Sequence, residues 1–351
     1  MSKSTSGPSR FVATRLLGRQ AAPFLAALAL SALGLLAPLA AGAQQTGQIR
    51  RIGALMGLDE SDPQAKARFA AFRTGLRTLG WEEGRNVRID IRWANTSDAP
   101  ALQRFAKELV ALKPDLILSH NTPTTAALLR NTRTIPIVFA VVSDPVGSGF
   151  VASFPRPGGN VTGFTNIELT MASKWLELLK EIAPHVTHVA FLFNPATAPY
   201  AEHYLGPFKI AAASLALEAI PTPVRNTSEL ESAIAAQART PNGGLVLMTD
   251  SFLVRHRAKI TPLAARYRLP AVYPFRDFIE LGGLLSYGND LYDNFRRAAA
   301  YADRVLKGAT PNELPVQAPV KFELVINAKS AVGLGLTIPP KLLLRADQVI
   351  Q

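Results

Sequence analysis

One stretch decides the fold, and it runs from Arg50 to Trp93: RRIGALMGLDESDPQAKARFAAFRTGLRTLGWEEGRNVRIDIRW. Its apolar run Ile52–Met56 is typical of a buried strand, and Asp62-Pro63 indicates the N-cap and first turn of a helix. Apolar residues then recur at three- and four-residue spacing, as on one face of a helix: Phe69, Phe72, Leu76 and Leu79. Apolar and charged residues alternate over Val87–Trp93, which predicts a strand near a sheet edge. The stretch therefore predicts a strand–helix–strand unit.

The same alternation of short apolar runs and amphipathic helical stretches continues to the end of the chain. Further strands are expected at Asp115–Ser119, Ile135–Val142, Val189–Phe193, Leu245–Thr249 and Ala271–Tyr273. Repeated strand–helix units favour parallel sheets with helices packed on both faces. The predicted fold class is therefore α/β.

Irregular segments rich in Gly or Pro interrupt the alternation at three places: Pro155–Gly163, Gly282–Gly288 and Pro311–Pro319. Two similar lobes with three chain crossings between them explain this arrangement. We predict an N-terminal lobe of residues 44–162 and 288–318 and a C-terminal lobe of residues 163–287 and 319–351. A chain of 351 residues is long enough for each lobe to bury its own core.

The first 43 residues have the composition of a secretory signal peptide. Their charged residues are all positive: Lys3, Arg10, Arg15 and Arg19. An apolar segment follows from Ala21 to Ala40, and Ala41-Gly42-Ala43 is a small-residue cleavage site. An uncleaved membrane anchor is the alternative, because about 20 apolar residues can span a bilayer. With cleavage after Ala43, we expect a periplasmic protein that does not span the membrane.

Charge and cysteine content exclude several classes of function. The formal charge of +12 falls to +8 without the four positive residues of the first 43, and no basic run with interleaved aromatic residues occurs. We therefore expect no nucleic-acid partner. The chain has no cysteine, which excludes disulfides, thiol catalysis, cysteine-based metal sites and a lipid-modified N-terminal cysteine.

The sequence lacks the motifs of common enzyme classes. It contains no Gly-x-Ser-x-Gly nucleophile turn, no phosphate-binding P-loop and no His-Glu-x-x-His zinc motif. Of the five histidines, only His120 lies at the end of a predicted strand. We therefore predict that the protein is not an enzyme and that it needs neither a metal nor a cofactor.

Three segments together resemble one family. The first segment is Phe72-Arg73-x-Gly75-Leu76-x-x-Leu79-Gly80-Trp81-x-x-Gly84-x-Asn86-Val87. The second consists of Ile135-Pro136-Ile137-Val138-Phe139 and Ser143-Asp144-Pro145-Val146-Gly147-Ser148-Gly149-Phe150-Val151. Arg156-Pro157-Gly158-Gly159-Asn160-Val161-Thr162-Gly163 completes the series. In this order they resemble the signature of one group of ABC-transporter substrate-binding proteins, over nearly the whole chain from Arg50 to Gln351.

This resemblance implies the type I periplasmic-binding fold, in which two Rossmann-like lobes joined by three crossovers close on a ligand. It implies a small-molecule ligand, and some members of the family bind aromatic amino acids. It also implies an inner-membrane ABC permease with its ATPase as partner. Some relatives carry a lipidated cysteine, which this chain lacks, so membrane tethering is not implied. A periplasmic sensor that presents its ligand state to a membrane receptor is the alternative function.

Candidate ligand-binding residues follow from the strand ends, because ligands of open parallel sheets lie beyond the C-terminal ends of the strands. The residues predicted in this way are Leu58, Asp59, His120, Thr122, Thr124, Thr125, Ser143, Asp144, Asn194, Asp250 and Tyr287. No catalytic or metal-binding residue is predicted among them.

Specific roles are predicted for several of these residues, each with an alternative. Thr122 is expected to cap the helix that Pro123 begins, and the free N–H groups of Thr124 and Thr125 would bind a carboxylate, or Thr122 could only cap its helix. Asp250 would pair with the ammonium group of an amino acid, or it could be only a helix N-cap. Asp144 could instead serve an Asp-Pro turn.

Overall fold

The computed structural model describes residues 49–351. The predicted signal peptide, residues 1–43, lies outside the described residues. Within residues 49–351, no helix combines the length and the apolar composition that a membrane crossing requires.

The first half of the described chain builds a sheet of five parallel strands in the order β2-β1-β3-β4-β5. Its elements are β1 (Arg50–Met56), α1 (Pro63–Thr78), β2 (Val87–Trp93), α2 (Ala99–Ala111), β3 (Leu116–Asn121), α3 (Thr122–Leu129), β4 (Ile137–Val142) and β5 (Val161–Thr165). We call this sheet and the helices packed on it the first lobe.

The second lobe is built on a seven-stranded sheet in the order β12-β11-β10-β9-β8-β6-β7. Its first elements are α4 (Met171–Ile182), β6 (His188–Phe193), α5 (Ala201–Ser214), β7 (Glu218–Pro223), α6 (Thr227–Arg239), β8 (Gly243–Leu247), α7 (Ser251–Arg255), α8 (Arg257–Arg266) and β9 (Ala271–Tyr273). A 3₁₀ helix (Arg276–Leu281), β10 (Leu285–Asn289), β11 (Phe322–Asn327), α10 (Ala328–Gly333), α11 (Pro340–Arg345) and β12 (Gln348–Ile350) complete it. All described pairings in this sheet are parallel except that of β10 with β11.

One long helix after β10 returns to the first lobe. This helix, α9 (Leu291–Leu306), packs against α1, where a side chain on Gly75 would collide with Ala299. Asn294 of α9 also donates hydrogen bonds to the carbonyls of Ala140 (2.8 Å) and Thr165 (3.1 Å). The chain therefore crosses between the sheets after β5, after β10 and before β11, and the predicted α/β fold with two lobes and three crossovers is confirmed.

The predicted lobe boundaries differ from the sheets in detail. The boundary between residues 162 and 163 falls inside β5, and the boundary between residues 287 and 288 falls inside β10. β5 stays paired with β4 up to Thr165, and β10 stays paired with β11 up to Asn289, so both strands continue past the predicted boundaries. The boundaries themselves stay a prediction.

The local signals of the opening stretch act as the sequence predicts. Asp62 accepts hydrogen bonds from the backbone N–H groups of Gln64 (2.9 Å) and Ala65 (3.1 Å) and so caps α1. Phe69, Phe72 and Leu76 of α1 are buried against the first sheet, whereas the fourth residue of the predicted face, Leu79, follows the helix and is 40% exposed. Strand β2 lies at the sheet edge, as its alternating pattern predicts.

Candidate functional site

A small cavity lies between the lobes, where the C-terminal ends of strands from both sheets meet. Its volume is about 30 Å³, which is room for one or two water molecules. The lining residues are Leu58, Arg68, His120, Asn121, Thr122, Pro123, Val141, Ser143, Asn166, Thr197, Tyr200, Thr249, Asp250, Ser251, Val254, Phe275 and Leu291. We call this space the central cavity. Five of the predicted site residues line it: Leu58, His120, Thr122, Ser143 and Asp250.

His120 contributes a neutral imidazole to the wall of the first lobe. Burial, followed by the positive charge of Arg68, lowers the pKa of His120 to about 3. The Nδ1 atom of His120 accepts a hydrogen bond from the backbone N–H of Gly57 at 3.1 Å. In this arrangement the proton of the neutral ring is on Nε2, so His120 is a hydrogen-bond donor on its other side.

The start of helix α3 differs from the prediction, because Asn121 and not Thr122 is the N-cap. The Asn121 side chain accepts from the Thr124 N–H at 3.3 Å, and Thr124 Oγ1 accepts from the Asn121 N–H at 2.8 Å. This reciprocal pair is a capping box. The cap therefore uses the N–H of Thr124, which is not free to bind a carboxylate as predicted.

The hydroxyl groups of Thr124 and Thr125 point into the first lobe and not into the central cavity. Both lie 2.8 Å from Ser119 Oγ, and Thr125 Oγ1 also donates to the carbonyl of Asn121 at 2.9 Å. Both threonines are fully buried. Thr122, one residue earlier, does line the cavity, and its hydroxyl lies 3.5 Å from the backbone N of Ser143.

Ser143 joins the two lobes across the cavity. Its hydroxyl donates to Asn166 Oδ1 at 3.0 Å within the first lobe, and it lies 3.4 Å from Thr249 Oγ1 of the second lobe. Asn166 follows β5 and Thr249 follows β8, so both are strand-end residues. The polar groups of two sheets thus converge on one point of the cavity.

Asp250 forms the wall of the second lobe and is almost completely buried. Its carboxylate accepts from the N–H groups of Asn194 and Phe252 and from the hydroxyl of Thr197. Burial raises the pKa of Asp250 to about 6, and these hydrogen bonds limit the rise. Asp250 is the N-cap of α7, as the alternative interpretation expected, and it also faces the cavity.

Tyr200 lines the cavity together with Asp250. Its hydroxyl donates to the carbonyl of Thr249 at 2.5 Å. Burial, and next the charge of Asp250, raises the pKa of Tyr200 far above its ordinary value. The phenol therefore stays protonated and acts as a hydrogen-bond donor.

Asp144 lies outside the central cavity, at the mouth of the cleft. It accepts from the N–H of Gly147 at 2.7 Å, which is the turn contact that the alternative interpretation expected, and it pairs with His203 Nδ1 at 2.8 Å. His203 and Gly147 border a second space of about 430 Å³ that opens to solvent. Thr122, Pro123, Thr197 and Tyr200 line both spaces, so the two are adjacent.

Three further predicted residues do not line the central cavity. Asp59 pairs with Arg255 of the second lobe, because the loop after β1 turns toward α7. The Asn194 side chain donates to the carbonyl of Arg225 at 3.2 Å and accepts from a nearby backbone N–H. Tyr287 stacks on Phe322 within the second sheet, with ring centroids 5.8 Å apart. Their contact with a ligand stays a prediction.

The strand-end rule missed Arg68, which lies in the middle of α1. Arg68 is 1% exposed, lines the central cavity and forms an ion pair with Asp277, which is equally buried and belongs to the 3₁₀ helix of the second lobe. A sequence signal was present. Arg68 lies between Ala65 and Phe72 on the buried face of α1, where a charged residue is exceptional unless it has a partner.

Four contacts between an acidic and a basic side chain connect the lobes within residues 49–351. They are Asp59–Arg255, Asp62–Arg257, Arg68–Asp277 and Asp144–His203. The Asp62–Arg257 contact measures 2.8 Å. Burial raises the pKa of Asp62, but the hydrogen bond and charge of Arg257 outweigh this effect and hold the pKa below its ordinary value.

The residues of the site contain no cluster that would hold a metal. Across residues 49–351, no group of three or more His, Asp and Glu side chains is arranged for metal binding.

The comparisons with known proteins agree on one family. The family model described as ABC transporter substrate binding protein matches residues 60–350. A tyrosine-binding protein of Clostridioides difficile (strain R20291) is 27% identical over 265 residues, which are 76% of this chain and 75% of that protein.

Two crystal structures agree with this chain in fold and in length. A conserved domain protein of Vibrio cholerae has a TM-score of 0.80 and 28% identity, and the match covers 86% of this chain and 100% of the other. The ABC domain of Streptococcus pneumoniae in complex with L-Trp has a TM-score of 0.79 and 27% identity over 86% of this chain and 99% of the other. The chain belongs to the family of ABC transporter substrate-binding proteins.

Proposed function

We propose that this protein is the periplasmic solute-binding component of an ABC importer, and that it closes its two lobes around an amino acid. The observation that carries the proposal is the central cavity, whose wall is formed by residues of both lobes at the C-terminal ends of their strands. Such a cavity exists only while the lobes are together.

The size of this cavity and the contacts across it support closure around a ligand. An amino acid is several times larger than a cavity of about 30 Å³, so its entry requires the lobes to separate. The Ser143–Thr249 contact and the four contacts between acidic and basic side chains of the two lobes would break on opening and form again on closing. A ligand that contacts both walls would shift the population toward the closed form.

An amino-acid ligand is supported by the polar walls and by the relatives. The cavity combines buried hydrogen-bond donors and acceptors with the apolar side chains of Leu58, Val254, Phe275 and Leu291. The similar proteins named above include a tyrosine-binding protein and a structure in complex with L-Trp. Aromatic amino acids are therefore the first ligands to test.

The same walls are suited to binding and not to catalysis. His120 is neutral well above and below pH 7, because its pKa is about 3, and no carboxylate accepts from it. The Asp250 carboxylate already accepts three hydrogen bonds from its own lobe. We therefore propose that the site holds its ligand without changing it.

Calorimetry on protein exported from the full chain tests this function. The full chain would be expressed in a bacterial host, recovered from the periplasmic fraction, and titrated with each of the 20 amino acids. We expect L-Tyr or L-Trp to bind and the radius of gyration in small-angle scattering to decrease on binding. If no amino acid binds, the proposed ligand class is wrong; binding without compaction would refute lobe closure.

The mass of the same recovered protein tests its processing. A chain that starts at Gln44 would support cleavage of the predicted signal peptide, and a membrane-bound chain that retains residues 1–43 would support an anchor.

A further inference from the structure

The central cavity contains more hydrogen-bond donors than its own acceptors use. The guanidinium of Arg68 reaches Asp277 through one nitrogen, while its Nε–H has no hydrogen-bond partner although the side chain is fully buried. His120 lines the same cavity, and the Arg68 charge contributes to lowering the pKa of His120.

An unpartnered N–H on a buried cation is costly. A buried hydrogen-bonding group without a partner destabilises a protein, and the cost is larger when the group is charged. The one acidic residue among those that line the cavity, Asp250, already accepts from Asn194, Thr197 and Phe252. The protein therefore leaves the second acceptor of Arg68 to be supplied from outside.

We propose that Arg68 determines specificity by binding a carboxylate of the ligand. The guanidinium has five N–H donors in a planar fork, so it can hold a ligand carboxylate and Asp277 at the same time. Because Arg68 belongs to the first lobe and Asp277 to the second, the carboxylate is bound by the same group that joins the lobes. The proposal rests on the proposed function and replaces the helix α3 terminus as the carboxylate site.

The test measures how much each of the two charged groups of tyrosine, the carboxylate and the ammonium group, contributes to binding. Calorimetry would compare L-Tyr with 3-(4-hydroxyphenyl)propionate, which keeps only the carboxylate, and with tyramine, which keeps only the ammonium group. For wild type we expect the carboxylate analogue to bind about tenfold or more tighter than tyramine, since charge-assisted hydrogen bonds are stronger than neutral ones. Tighter binding of tyramine would overturn the proposal while leaving solute binding intact.

Variants of Arg68 then test whether this residue causes the preference for the carboxylate analogue over tyramine. Arg68→Gln should remove the difference between the two analogues, and Arg68→Lys should retain part of it. Arg257→Gln is the matched control, because it breaks another ion pair between the lobes, with Asp62, at a residue that does not line the cavity. It should weaken all three compounds by the same factor. If Arg68→Gln weakened the binding of all three compounds by the same factor, the role of Arg68 would be only structural.

Two additions keep the test decisive. Arg68→Gln leaves Asp277 buried without its partner, so Arg68→Gln/Asp277→Asn removes both charges and is used if the single variant does not fold. If wild type binds none of the three aromatic compounds, the aromatic ligand class is wrong. Thermal shifts with acetate, succinate and benzoate, each against its amide, then decide the Arg68 proposal: it fails if no acid stabilises wild type more than Arg68→Gln.

Discussion

Gly57 tests whether the first-lobe wall of the central cavity holds the ligand. Gly57 follows β1, and its N–H donates to His120 at 3.1 Å. A Cβ at this position would lie 2.8 Å from Oδ1 and 2.9 Å from Cγ of Asn121, and closer still to Nδ2. The Gly57 backbone does not have a positive φ, so alanine fits the local conformation. The substitution Gly57→Ala therefore acts mainly on the Asn121 side chain.

The expected effect on folding stability is small. The Asn121 amide must move by at least about 0.5 Å to restore ordinary contact distances, and it then loses its 3.3 Å hydrogen bond from Thr124. Loss of a helix cap costs about 1 kcal/mol. Replacing glycine by alanine returns about 0.4–1 kcal/mol through the unfolded chain. We expect the free energy of unfolding to change by less than about 1 kcal/mol.

The expected effect on ligand binding is larger. Asn121 and His120 are adjacent in the cavity wall, and Gly57 contacts both. One displaced hydrogen-bonding group corresponds to about 1.4 kcal/mol, which is a tenfold loss of affinity. Calorimetry with the bound amino acid measures this loss, and urea unfolding measures stability. Gly333→Ala is the control, because a Cβ there meets no atom within 4 Å. Affinity within twofold of wild type would refute the placement of the ligand against Asn121.

Three further predictions concern stability. The raised pKa of Asp250, about 6 against an ordinary 3.8, gives stability that is fully present below pH 3.8 and is lost as pH rises through 6. Relative to wild type, Asp250→Asn should therefore gain about 2–3 kcal/mol in urea unfolding between pH 4 and pH 8, and a flat difference would exclude this role. Trp175 is fully buried and donates to the Tyr287 carbonyl at 2.7 Å. Trp175→Ala should cost about 3–5 kcal/mol by the same assay, clearly more than Trp175→Phe. Gly163 has φ +151° and packs on the backbone of Phe139, so Gly163→Ala should lower stability by about 2 kcal/mol or more, and an unchanged melting temperature would contradict the described pairing of β4 and β5.

The fold was predictable because its signals are local and repeated. The apolar run of β1, the Asp62 cap and the apolar face of α1 each specify one element within a few residues. Repetition of this unit leaves parallel sheets as the simple solution. The antiparallel pairing of β10 with β11 was not predictable, because it depends on where the chain returns after α9.

The candidate site was predictable only in part, because side-chain direction depends on where each helix begins. Moving the cap of α3 from Thr122 to Asn121 rotates every later side chain by about 100° around the helix axis. Thr124 and Thr125 then point into the first lobe, and Thr122 points into the cavity. Arg68 was missed for another reason. It reaches the cavity from within a helix, where the strand-end rule does not apply.

The contacts between acidic and basic side chains of the two lobes differ in sign, which bears on the role proposed for Arg68. In three of the four pairs the first lobe contributes the acid: Asp59, Asp62 and Asp144. Among the four pairs, the Arg68 pair alone has the opposite sign and has a member that lines the central cavity. A first-lobe acid at this position would repel a ligand carboxylate, whereas Arg68 attracts it. On the proposal that Arg68 binds the ligand carboxylate, the outer pairs favour closure for any ligand and the inner pair favours it for an acidic one.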